Sequence, residues 1–303
     1  MSNHTSIGFE GDVIIVTGAG GGLGRSHALA LAQRGACVVV NDVGGTVDGE
    51  GSDSKPAAMV VEEIESLGGE AIADYTDISN PNGGGTIVHN AMSAFGRIDG
   101  VVNNAGILRD GMHHKSTARV DDKVLGVHLH GACHVTRAAM PYMREQGYGR
   151  VVVTTSAAGL FGNVGQANYG AAKMGLVGFM KALALEGAFK GVMANAIAPV
   201  GDTRMTQGIL PADLLPELAP EHVSAVVTLL MSKSCPVTGK IFSITGRHVG
   251  EVKVVETVGW TDTDALTPEA VLMNLGAITN DSMLDAHPDM TTAVMSSAAQ
   301  LAG

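Results

Sequence analysis

The sequence predicts an α/β protein built on a doubly wound parallel sheet. Three observations predict it. Short apolar runs alternate with helical patterns along most of the 303 residues. Those runs are apolar throughout rather than at every second position, as strands covered on both faces must be. A glycine cluster, TGAGGGLG from Thr17 to Gly24, joins the first apolar run to the first helical stretch, and strand, glycine turn, helix, strand is a βαβ unit.

Residues 12–17 (DVIIVT) are the first predicted strand, 22–34 the first helix and 36–41 (ACVVVN) the second strand. Residues 44–55, rich in Gly, Asp and Ser, read as a loop, and 56–67 as a helix. A short third strand covers 71–73. Pro81 opens the next helix with Asn80 as its N-cap. Its glycines at 83, 84 and 85 each cost about 1 kcal/mol against alanine, so an irregular first turn is expected. The fourth strand is 100–103, followed by a long helix over 121–146. Strand five is 150–155, a second long helix covers 166–189, and strand six is 192–197. Residues 209–220 are rich in Leu and Pro, 221–232 are helical, and 240–245 form a last strand. The tail is polar and mixed, with a helix predicted over 267–275. No Pro-rich or charge-rich linker interrupts the pattern. One catalytic domain over residues 1–245 is therefore expected, with 246–303 an extension packed on the body or on a partner subunit.

Hydrophobic residues make up 45% of the chain and charged residues 16%, enough for a sizeable core and too little charge for a disordered chain. The 41 glycines have no period. A net charge of −11 with no basic stripe and one Trp argues against nucleic-acid or anionic-membrane partners. Cys37, Cys133 and Cys235 are odd in number and far apart, without zinc spacing or a disulfide framework, which suits a reducing compartment. The N-terminus lacks the basic and apolar regions of a signal peptide, and QLAG is not a peroxisomal address. A cytoplasmic protein is expected.

The glycine turn, with Gly18, Gly22, Leu23 and Gly24, lets the backbone approach a pyrophosphate and aims a helix N-terminus at it. Such a turn alone is a weak signal; the acid closing strand two, Asp42, strengthens it. A carboxylate there accepts hydrogen bonds from an adenosine ribose and repels a 2′-phosphate. Gly21 offers no cation within the turn and Arg25 lies inside the helix, so NAD is expected rather than NADP. Asp77, with Ile78 beside it, follows strand three and is placed to bond adenine; a turn acid is the competing role, and Asp74 competes for the same task. Asn103-Asn104-Ala105-Gly106 ends strand four, where an open sheet places ligands. An Asn that bonds only backbone between strands is the alternative there.

Tyr169 and Lys173 (YGAAK) are four apart on a predicted helix and so share one face. An ammonium beside a phenol favours phenolate, which makes a general base of a group that ordinarily titrates near ~10. The same spacing is common on solvated helices, so its context decides. Strand five ends in Thr154-Thr155-Ser156, which brings the Ser156 hydroxyl to the same sheet edge.

TGAGGGLG, NNAG, Ser156, YGAAK and NAIAP (Asn195 to Pro199) occur in this order over residues 12–245. On these motifs the chain resembles the short-chain dehydrogenase/reductases of Rossmann fold. VVVNDVGG, FGRIDGVVNNAGILRD, YGRVVVTTSAAGLFGNVGQANYGAAK, APVGDTRMTQ and TPEAVLMN resemble one branch, the dehydrogenase part of the peroxisomal multifunctional enzymes of type 2, also called 17β-hydroxysteroid dehydrogenases of type 4. The resemblance implies oxidation of (3R)-hydroxyacyl-CoA to 3-ketoacyl-CoA with NAD, in fatty-acid or sterol side-chain β-oxidation. It assigns Ser156, Tyr169 and Lys173 to catalysis, Lys173 also to the ribose hydroxyls, and Pro199 and Thr203 to the carboxamide. It implies no metal. It also implies a homodimer or homotetramer, with a separate enoyl-CoA hydratase as partner. Two places depart from the family pattern: Val127-His128-Leu129-His130-Gly131 replaces an Asn-containing segment, and Pro199-Val200-Gly201 replaces Pro-Gly. His128 is either a relay residue or a packed one.

His130 and His134 are expected at an interface or in solvent, and His113-His114-Lys115 in a solvated loop. Ala171, Gly175, Gly178 and Ala182 form a small-residue strip suited to a dimer interface or to burial within the monomer. The Leu-rich 209–220 segment reads as a substrate lid or an ordinary surface helix. The alternatives to the acyl-CoA reading are a 17β-hydroxysteroid dehydrogenase, an NADPH-dependent biosynthetic reductase and a non-catalytic NAD-binding subunit of a larger complex.

Overall fold

The computed structural model describes residues 7–201, 215–262 and 266–300. The chain divides into two compact units, Met1–Glu251 and Val252–Gly303.

In the first unit the strands are β1 (Val13–Thr17), β2 (Cys37–Asn41), β3 (Glu70–Asp74), β4 (Gly100–Asn103), β5 (Gly149–Thr154), β6 (Val192–Val200), β7 (Ile241–Thr245) and β8 (His248–Val252). They form one sheet in the order β3-β2-β1-β4-β5-β6-β7-β8. Pairing is parallel from β3 through β7. The chain order reverses between β1 and β4, and this switch point is where an open sheet leaves a crevice. Every residue of β1 and β5 is buried, the consequence of helices on both faces. Helices α1 (Gly22–Ala32), α2 (Lys55–Ser66) and α8 (Pro220–Met231) pack together on one side; α3 (Gly83–Phe95), α5 (Gly131–Gln146) and α7 (Ala167–Gly187) pack on the other. Val16, Val38, Val40, Val102, Val152 and Ile197 from the sheet form a core with Leu31, Val227 and Leu230. Burying each such side chain is worth about 1.5–3 kcal/mol.

The structure corrects several boundaries. β6 runs on to Val200, and β8 follows β7 through a two-residue turn in which Gly246 has φ 55°. The helix expected over 121–146 is two helices, α4 (Ala118–Leu125) and α5, joined by a π-turn at Gly126–His130. A short helix α6 (Ala157–Phe161) precedes α7, capped by the Ser156 hydroxyl, which accepts from Ala158 N at 3.2 Å. Asn80 does not cap α3: its side chain accepts from Asn82 N inside the preceding turn, and Asn82 is the residue at the cap.

The second unit holds a two-stranded antiparallel pair, β9 (Glu256–Thr257) with β10 (Leu284–Asp285), and helices α9 (Pro268–Met273), α10 (Leu275–Ile278) and α11 (Met290–Ala299). The helix predicted over 267–275 thus breaks at Asn274. Thr267 caps α9 through Ala270 N, and Asp289 caps α11 through Thr292 N. The α11 helix carries no long apolar run, and sequence periodicity alone did not disclose it.

The three glycines of α3 are not equivalent. A Cβ on Gly84 would lie 2.2 Å from the His134 carbonyl oxygen on α5, whereas one on Gly85 would meet nothing within 4 Å. Gly84→Ala should therefore destabilise by about 1–3 kcal/mol through overpacking. Gly85→Ala should stabilise by up to about 1 kcal/mol, the ordinary helix gain. Thermal or urea melts of the two variants check this, and a stabilising Gly84→Ala would refute the close α3–α5 approach.

Candidate active site

A cleft of about 720 Å³ opens at the carboxyl end of the sheet. Its floor is the turn after β1. Gly18 has φ 65°, a left-handed conformation suited to glycine. A Cβ on Gly18 would stand 2.6 Å from Ala105 Cα, so the turns after β1 and β4 touch through backbone. Asn104 fastens this contact: its side chain donates to the carbonyls of Thr17 at 3.1 Å and Gly18 at 3.2 Å, while its own N–H reaches Thr17 Oγ1. Gly24 is buried, and a Cβ there would lie 2.1 Å from Gly18 O. It serves the packing of α1 against the turn rather than the cleft wall. Gly21 faces open space, and no side chain caps α1, so the first-turn N–H groups of that helix meet the cleft without a competing acceptor.

Of the residues expected to hold a cofactor, Gly18, Gly22, Leu23, Asp42, Asp77, Ile78, Asn104, Ala105, Gly106, Tyr169, Lys173 and Pro199 all line this one cleft. Thr203 lies outside the described residues, as do 209–214 of the expected lid. Leu218, from the same stretch, is buried in the body of the unit and is not offered to a substrate. Asp42 accepts from Gly20 N at 2.8 Å and Gly44 N at 2.7 Å, one bond to each oxygen. Each oxygen keeps a lone pair for another donor. Asp74 is buried and committed to Asn41 at 2.8 Å and Asn90 at 2.7 Å. Asp77 lines the cleft, while its Oδ1 accepts from Ser79 N at 2.8 Å and Ser79 Oγ at 2.7 Å, the bonds of a turn acid. A bare glycine turn, an uncapped helix N-terminus and a carboxylate at the end of β2 fit a nicotinamide dinucleotide.

Ser156, Tyr169 and Lys173 meet at the other end of the cleft. Lys173 is 3% exposed, its ammonium donating to Thr154 O at 2.6 Å and lying 5.5 Å from the centre of the Tyr169 ring. Thr155 Oγ1 donates to the Lys173 carbonyl at 2.6 Å, pinning α7 to the end of β5. Burial lowers the Lys173 pKa to about 7. Burial also raises the Tyr169 phenol above its ordinary value, against a smaller downward pull from the Ser156 hydroxyl. The simple expectation of a phenol brought down by its lysine is therefore reversed in the protein alone, because desolvation is the largest influence on both groups.

His128 sits on the π-turn, buried, with Nε2 3.0 Å from Ile107 N and 2.8 Å from Ile107 O. Its ring meets the Tyr169 ring edge-on at 5.1 Å. A Cβ on Gly106 would fall 2.3 Å from His128 Cε1, so Gly106 admits this ring. Burial, with the Lys173 charge adding to it, drives His128 well below its usual pKa. It ties α4–α5 to the turn after β4, and it also lines the cleft, with its Nδ1 buried and without a partner among the described residues. His130 is exposed; His134 Nδ1 lies 3.0 Å from Ile78 O. His113–Lys115 form an exposed 3-10 turn.

Sequence reasoning missed the segment after β2 as a wall of the site. Val43, Thr46, Val47, Gly49 and Gly51 all line the cleft, with Lys123 opposite. Its Gly and Asp content signals a loop, but nothing local says where a loop docks.

A family model for short chain dehydrogenases matches residues 12–213. The chain is 53% identical over 245 residues to a short-chain type dehydrogenase/reductase of Mycobacterium tuberculosis, covering 81% of this chain and 86% of that protein. It is 46% identical over 278 residues to the peroxisomal hydratase-dehydrogenase-epimerase of Saccharomyces cerevisiae, covering 91% of this chain and 31% of that one. The structure of full-length peroxisomal multifunctional enzyme type 2 from Drosophila melanogaster matches with a TM-score of 0.83 and 35% identity, over 98% of this chain and 50% of that chain. The chain thus spans 31% to 50% of the length of these multifunctional relatives. With that breadth of match over the same glycine turn, strand ends and YGAAK helix, the chain belongs to the short-chain dehydrogenase family and is an oxidoreductase acting on CH–OH.

Proposed function

We propose that the protein oxidises (3R)-hydroxyacyl-CoA to 3-ketoacyl-CoA with NAD. One observation carries this reading: Ser156, Tyr169 and Lys173 converge at one end of a cleft whose other end presents Asp42. The substrate class is supported by a further relative named a hydroxyacyl-CoA dehydrogenase, of Mycobacterium tuberculosis, 39% identical over 259 residues.

Bound NAD would supply the hydride acceptor. Tyr169 takes the substrate hydroxyl proton, and Ser156 holds the same oxygen by a hydrogen bond. Lys173, a buried ammonium with one acceptor among the described residues, gains partners from ribose hydroxyls; each new acceptor favours its charged form and so favours phenolate beside it. Asp42 takes the adenosine ribose hydroxyls and repels a 2′-phosphate. A non-catalytic binding subunit has no use for this phenol, ammonium and hydroxyl set.

An exposed strip along α7 and just beyond it supports assembly as a homodimer or homotetramer. Met174, Leu185 and Phe189 are exposed beside the exposed Ala171, Gly178 and Ala182; Gly175 instead packs on Leu129. The 246–303 extension and a separate hydratase are further candidate contacts. No described helix is long and apolar enough to cross a membrane. Residence in the cytoplasm belongs to the same proposal, although the two multifunctional relatives above are named peroxisomal.

Tyr169→Phe should lower turnover at least about 100- to 10,000-fold, the usual worth of a general base, with NADH affinity within about threefold of wild type. Retained turnover in a panel of 3-hydroxyacyl-CoA and 17β-hydroxysteroid substrates would remove the phenol from the mechanism. Asp42→Ala should raise the NAD KM about tenfold and narrow the NAD/NADP preference; an unchanged preference would take that role from Asp42. Since burial raises Tyr169 and oxidation needs its deprotonated form, kcat/KM for alcohol oxidation should climb with pH at up to about tenfold per unit below the apparent pKa. It should fall as pH drops, with ketone reduction showing the opposite trend. A pH–rate profile in both directions checks this.

A further inference from the structure

The segment between β2 and α2 does more than connect them. In the sheet β2 and β4 flank β1. A stretch that starts at the end of β2 and docks on residues after β4 therefore passes over the carboxyl end of β1 and its glycine turn. Residues 43–53 do this. Val47 O accepts from Leu108 N at 2.9 Å, and Asp48 O accepts from Arg109 Nε at 2.8 Å. Gly49 has φ 80°, and a Cβ there would lie 3.0 Å from the Ile107 side chain and 3.3 Å from Lys123 Cε. The Glu50 carboxylate then pairs with two cations on the far rim, Arg109 and Lys123, the latter at 2.8 Å. A closed turn presents Glu50: Thr46 N donates to Glu50 O at 2.9 Å and Glu50 N donates to Thr46 Oγ1 at 3.0 Å. At the near end Gly44 N bonds Asp42 and Asp53 N donates to Val43 O.

We propose that residues 43–53 are a strap across the dinucleotide cleft, latched by Glu50 on Arg109 and Lys123, and that the latch sets how fast NAD(H) leaves. This rests on the dinucleotide reading given above. A ligand lying over the glycine turn has the strap above it and exits only when the strap lifts. Two backbone-level contacts locate the strap, and Glu50 is its positioning residue. The Glu50 side chain is more than half exposed, so the pairs are open to screening by salt.

The test is NADH release from the intact protein, followed by stopped-flow fluorescence at low and high salt. Glu50→Gln should speed release about 3- to 10-fold at low salt. Wild-type release should accelerate with salt, and the Glu50→Gln rate should hardly change. Single-turnover hydride transfer should be unaltered. Glu65→Gln, an equal loss of charge on the exposed side of α2, should release NADH like wild type. Wild-type-like release from Glu50→Gln, or equal acceleration by Glu65→Gln, would overturn the latch while leaving the cofactor reading intact. Failure of the wild-type protein to bind NADH would overturn both.

Discussion

The site depends on one costly placement: an ammonium held out of water at Lys173. Removing a lysine charge from solvent is expensive, and the protein compensates only in part, through Thr154 O. The result is a cation poised near the middle of the physiological range, next to a phenol that is also desolvated. The phenol alone, holding its proton more tightly than usual, is not suited to act as a base at neutral pH. The shared need of phenol and ammonium is for further polar partners in the cleft, and that need couples ligand binding to proton chemistry. A site with a solvated lysine would lack this coupling, because its charge would be satisfied before any ligand arrived.

The same placement explains why α7 cannot drift. Its register is held by Thr155 against the Lys173 carbonyl and by Gly159, where a Cβ would crowd Lys173 Cβ at 2.7 Å. On the opposite side, the π-turn lets His128 reach Ile107 backbone while its ring meets Tyr169. A regular helix through Gly126–His130 would rotate that ring away from both. π-turns recur at functional sites for this reason. The phenol is thus clamped between the edge of one ring and the helix turn that carries Lys173.

Much of this was legible in the sequence, for identifiable reasons. Continuous apolar runs marked β1, β2, β4 and β5 because both of their faces are covered. TGAGGGLG and YGAAK could be read because each packs its meaning into a few consecutive residues. The direction of the Tyr169 shift was not legible, since it depends on burial, and burial is a property of the folded neighbourhood. The π-turn was hidden because its glycines, Gly126 and Gly131, look like ordinary helix interruptions. Asn80 misled because its side chain closes the turn before the helix, accepting from Asn82 N, and α3 starts two residues later than Pro81 suggests, with no side-chain cap. The α3 glycines read as a helix penalty when Gly84 in fact allows α5 to approach.

The strap shows the same limit from the other side. Its composition marks residues 44–55 as a loop, and loops are commonly solvated and loosely held. What makes it a wall of the site is its pairing with Leu108, Arg109 and Lys123, all more than 50 positions further along the chain. Strand order decides that meeting: with β1 between β2 and β4, the shortest bridge from one rim to the other runs over the turn where a pyrophosphate would lie. Once the sheet is ordered β2-β1-β4, a strap carrying one carboxylate toward two cations has a single place to close, and that place is over the cleft.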